Sequence, residues 1–102
     1  ISGGIGIIKI SNEIPVKFAL YQNYPNPFNP STKIKFDIFE PVNVKLNIYD
    51  VSGKLVEKIL DKKLQAGTYE TIWIGNEHTS GVYFCRIQAG EFTDVKKMIL
   101  VK

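Results

Sequence analysis

The chain has 102 residues, enough for a single domain. Hydrophobic residues make up 44% and charged residues 23%, ordinary globular usage that argues against disorder. Net charge is only +3, and Arg86 is the sole arginine among 13 basic residues, so the arginine-rich stripe of a nucleic-acid binder is missing. No stretch of about 18 apolar residues is present to form a spanning helix.

Residues 1–17 differ in texture from the rest. Ser2-Gly3-Gly4 is flexible, Gly6 interrupts an apolar stretch and Pro15 punctuates its end. With no initiator Met and no signal-like start at Ile1, we read this stretch as a linker from a preceding domain and residues 18–102 as the domain proper. A second reading pairs residues 5–10 as an edge strand, on this domain or on a neighbouring copy.

Prolines 25, 27 and 30 exclude a helix or a central strand in the next segment. Asn26 and Asn29 each precede a proline and are pushed toward extended geometry, which makes a stiff loop. Its aromatics, Tyr21, Tyr24 and Phe28, are placed to fold back and seal a sheet edge.

From Lys33 the alternation is strict: Ile34, Phe36 and Ile38 face one way, Lys33, Lys35 and Asp37 the other. Val44, Leu46 and Ile48 repeat it after a turn at Pro41. Asp50-Val51-Ser52-Gly53 is a second turn, followed by a strand over 54–60 whose spacing also fits one helical face. Further strands follow at 68–74, 82–88 and 92–101, separated by turns that contain Gly67, Gly75, Gly81 and Gly90. Strands about ten residues apart, with no helix required, predict an all-β, immunoglobulin-like antiparallel β-sandwich of about 6–8 strands.

Residues that carry chemistry are sparse. His78 is the only histidine and reads as a solvated loop residue; Cys85, flanked at period two by Tyr83 and Ile87, reads as a buried strand hydrophobe. One His and one Cys make neither a nucleophilic triad nor a usual zinc set. Asp50, Asp61 and Asp94 are too dispersed for a calcium loop. The expectation is therefore no catalysis, no metal and no cofactor. Trp73 is expected in the core, the alternative being a sugar-stacking platform of an accessory carbohydrate-binding module.

The run Gln22-Asn23-Tyr24-Pro25-Asn26-Pro27-Phe28-Asn29-Pro30-Ser31-Thr32, with Ile34 beyond it, closely resembles the opening of type A C-terminal sorting domains of the type IX (Por) secretion system. Tyr49-Asp50-Val51-Ser52-Gly53-Lys54, Ala66-Gly67-Thr68, Trp73, Ser80-Gly81-Val82-Tyr83-Phe84 and the tail from Lys96 to Lys102 follow in the family's order. The resemblance implies an immunoglobulin-like fold at the C-terminal end of an exported cargo protein. It further implies passage through the periplasm, recognition by an outer-membrane translocon, and delivery to the cell surface or beyond. A sortase-like peptidase would cut in the linker before Phe18. By position, the recognition residues would be Gly81, Tyr83, Lys96, Lys97, Met98, Ile99, Leu100 and Val101. Asn23, Pro25, Asn26, Pro27, Phe28, Asn29, Pro30 and Trp73 would form the structural motif. The remaining alternative is an assembly module that self-associates by strand exchange through its N-terminal segment.

Overall fold

In the computed structural model, which describes residues 6–102, eight strands form two four-stranded antiparallel sheets packed face to face. The first sheet has the order β1 (Ile8–Ser11), β6 (Gly67–Ile74), β3 (Ser31–Ile38), β2 (Ala19–Leu20). The second has the order β5 (Leu55–Leu64), β4 (Val42–Asp50), β7 (Gly81–Ala89), β8 (Phe92–Leu100). The chain therefore crosses between sheets after β3, β5 and β6, and the strand count agrees with the sandwich expected from sequence.

The period-two pattern becomes the core directly. Ile34, Phe36 and Ile38 of β3 and Tyr69 and Trp73 of β6 face Val44, Leu46 and Ile48 of β4 and Cys85 and Ile87 of β7, all buried. Full burial of each such side chain contributes about 1.5–3 kcal/mol from apolar transfer alone. Leu60 and Leu64 are also buried, and residues 55–64 form an extended strand, so the helical alternative for this segment is overturned. Two bulges in the β4–β5 register explain why its apolar spacing departs from simple alternation.

The turn between β4 and β5 is built by Asp50. Its Oδ1 accepts the Ser52 N–H at 2.9 Å, the Ser52 hydroxyl at 2.7 Å and the Lys54 N–H at 3.0 Å. These bonds, the Ser52 hydroxyl first, hold the Asp50 carboxyl below its ordinary range. Gly53 takes φ of 84° there, a conformation that disfavours side chains.

Residues 1–17, read as a linker, contribute β1 to the first sheet. Ile8 pairs with Glu70 and Lys9 with Tyr69, and the Thr71 hydroxyl donates to the Gly6 carbonyl at 2.9 Å. This is the edge-strand alternative, realised within one chain over 8–11; Ile5 lies outside the described residues. Period-two patterning did not favour it over the linker because Ile8 and Ile10 remain largely exposed and leave no one-sided apolar signature.

Candidate recognition surface

The proline-rich loop and the last strand, more than 70 residues apart in sequence, form one unit. Phe28 N–H donates to the Ile99 carbonyl at 2.9 Å, and Val101 N–H donates to the Phe28 carbonyl at 2.9 Å. Asn26 Oδ1 accepts the Ile99 N–H at 2.9 Å, and Gln22 Nε2 donates to the Lys97 carbonyl at 2.7 Å. These bonds cover the outward-facing edge of β8 from Lys97 to Val101. A strand edge with unpaired amides is a template for adventitious pairing, and this loop occupies the C-terminal half of it here.

The loop is itself braced. Asn23, buried, donates from Nδ2 to the Thr32 hydroxyl at 2.9 Å and to the Pro25 carbonyl at 3.2 Å; Thr32 donates to the same carbonyl at 2.8 Å. Phe28 is only 1% exposed and packs on Trp73, ring centroids 5.6 Å apart. Of the three aromatics expected to seal the edge, Phe28 alone does so. Tyr24 and Tyr21 lie outside, Tyr21 bonded to the Asp37 carboxylate. That bond and partial burial raise the Tyr21 phenol above its ordinary value. Pro25, Pro27 and Asn29 are exposed, and Pro30 presents its carbonyl to Gly75 N–H at 2.8 Å.

The expected recognition residues divide by strand parity. Met98 and Leu100 point inward and are fully buried, as is Tyr83, which sits opposite Met98. Lys97 and Ile99 face outward, Lys97 opposite Phe84 and Ile99 opposite Val82. Lys96 lies on the inward side of β8, where the facing sheet no longer covers it, and meets Asp94 at 3.7 Å. Gly81 and Val101 are exposed. The structure therefore brings the eight together on one hairpin but does not make a continuous apolar tail. Lys96 and Lys97 face opposite directions.

Two sequence expectations change. His78 is half-buried and packs on Trp73 at 5.4 Å and on Tyr83 at 6.0 Å between ring centroids. It is a lid over the core end and not a free loop residue, because the 75–81 loop folds back toward β7. Trp73 is fully buried, which removes the sugar-stacking platform on which the carbohydrate-binding alternative rested. Gln22 and Thr32, which hold the loop in place, were not singled out from sequence. The polar character of both was visible, but their partners depend on distant backbone positions.

Cys85 is buried, and burial pushes its thiol up to about 12, so it offers no thiolate at neutral pH. Among the described residues, no group of three or more His, Cys, Asp or Glu side chains is arranged to hold a metal.

The secretion system C-terminal sorting domain model matches residues 22–102. The match starts at Gln22, the residue that ties the loop to β8, and runs through the last strand. The chain belongs to that family. As a sorting domain of the type IX route it directs a larger cargo protein for export to the cell surface or the surroundings, with the cargo and the secretion machinery as partners. A comparison with curated proteins found no match. The sorting domain thus has a folded core, a braced entry loop and a last strand held at both edges.

Proposed function

We propose that this sorting domain is a rigid, non-catalytic address label, read in folded form by the outer-membrane translocon after the cargo has crossed the periplasm. Residues 18–102 are the label. Residues 1–17 connect it to the cargo and offer the place where a sortase-like peptidase cuts. The exposed and half-buried members of the recognition set, Gly81, Lys97 and Val101 with Lys96 and Ile99, make the contacts, while Tyr83, Met98 and Leu100 fix their positions from beneath. The observation that carries this reading is the clasp: hydrogen bonds from Gln22, Asn26 and Phe28 hold the last strand in one geometry. A pre-organised surface binds without first being ordered.

The test is an exported reporter carrying the full 102-residue chain at its C-terminus, expressed in a bacterium with a type IX system and in its translocon-deleted derivative. The reporter is expected at the surface or in the medium of the first strain and in the periplasm of the second. Equal release from both strains overturns the proposal. N-terminal sequencing of the freed domain locates the cut, expected before Phe18.

A further inference from the structure

The outer face of the second sheet concentrates the positive charge of the whole chain. Strand register places Lys63, Asp61 and Lys58 of β5 beside Asn43, Lys45 and Asn47 of β4. Arg86 of β7 sits beside Asn47 on the other side, and Lys97 of β8 beside Phe84. The face thus holds five of the chain's 13 basic residues and one of its 10 acidic ones. The outer face of the first sheet is balanced, with Lys33 and Lys35 against Asp37 and Glu70. Among the described residues, no carboxylate lies within ion-pairing distance of the five cations; Asp61 receives instead the Asn43 amide at 3.2 Å.

Apolar side chains lie between these cations. Phe84 pairs across the sheet with Tyr49, and Tyr49 with Leu55, which is exposed. Strand addition along the 97–101 edge is not available, because the proline-rich loop already occupies it. A partner that reads Lys97 must therefore approach the face.

We infer that the outer face of β5-β4-β7-β8 is the docking surface for an acidic protein partner, with Lys97 and Arg86 flanking a Phe84–Tyr49 centre. The inference rests on the sorting reading above and names the face through which that recognition works. Unpaired cations around aromatic side chains match an acidic rim around an apolar centre, and Arg and aromatic residues are enriched in such contacts. A protein fits better than an anionic membrane. Phe84 and Tyr49 are half-buried, whereas insertion into a lipid headgroup layer is carried by freely exposed apolar side chains.

The experiment uses the same reporter in the secretion-competent strain. Lys97→Glu and Arg86→Glu, singly and together, are expected to lower export, the pair by about tenfold or more. Lys97→Arg is expected to preserve export. The double variant Lys33→Glu/Lys35→Glu, which changes the outer face of the first sheet, is expected to export normally. Thermal melts of the purified variants check folding, and Lys97→Glu, an exposed position, decides the matter if Arg86→Glu melts early. Failure of the unmodified domain to export the reporter sinks the sorting reading itself. Export by the unmodified domain together with normal export of the Lys97 and Arg86 reversals sinks only this face. Sedimentation with phosphatidylglycerol-containing vesicles supplies the other arm: no binding is expected, and binding abolished by the same two reversals overturns the protein partner.

Discussion

Replacing Phe28 with alanine separates the two ways in which the proline-rich loop is attached. The backbone bonds of Phe28 to Ile99 and Val101 survive the change, but the ring packed on Trp73 is lost from a site only 1% exposed. Phe→Ala in a packed core costs about 3–5 kcal/mol, because the transfer term and the residual cavity add. Whole domains are stable by about 5–15 kcal/mol, so roughly a fifth or more of the total is at stake. In a domain of this size the melting temperature should fall by roughly 12–40 °C. Trp73 is the only tryptophan and lies against the ring, so its fluorescence reports the transition during heating or urea titration. Tyr24→Ala, in the same motif but 78% exposed, is the internal control and should change stability by about 0.5 kcal/mol or less. A Phe28→Ala loss below about 1 kcal/mol, or equal effects of the two variants, refutes the claim that the loop is part of the core.

Two further outcomes follow from packing and burial. A Cβ on Gly75 would lie 2.9 Å from Leu100 Cδ2 and 3.6 Å from the Phe28 ring, so Gly75→Ala should cost about 1–3 kcal/mol in a urea melt; an unchanged midpoint counts against close packing there. The Cys85 thiol, raised to about 12 in the fold, keeps its proton while an unfolded thiol near ~8.5 loses it, so stability falls as pH rises between those values. Between pH 7.5 and 10 the native chain should lose roughly 1–2 kcal/mol more than Cys85→Ala, and equal losses would contradict a buried, solvent-shielded thiol.

The all-β architecture was legible in the sequence because strand patterning is local. Ile34, Phe36 and Ile38, or Val44, Leu46 and Ile48, state at period two which side of a strand is apolar, and the turn residues state where each strand stops. The core placement of Cys85 followed from the same arithmetic, and that of Trp73 from its standing as a lone tryptophan on a strand. The strand at Ile8–Ser11 ranked behind the linker reading because its side chains stay largely exposed and its hydrogen bonds belong to β6. His78 was misread because its surroundings are supplied by Trp73 and Tyr83 across a loop closure.

The clearest division is in the tail. Its sequence alone carries the family signature and the alternation of Met98 and Leu100 with Lys97 and Ile99. Only the tertiary structure decided that Met98 and Leu100 are core, that the strand edge is taken, and that Lys97 joins Arg86, Lys58, Lys45 and Lys63 on one face. The physical reason is range. Side-chain direction along a strand is set by neighbouring backbone angles, whereas pairing between Asn26 and Ile99 depends on chain closure across 73 positions.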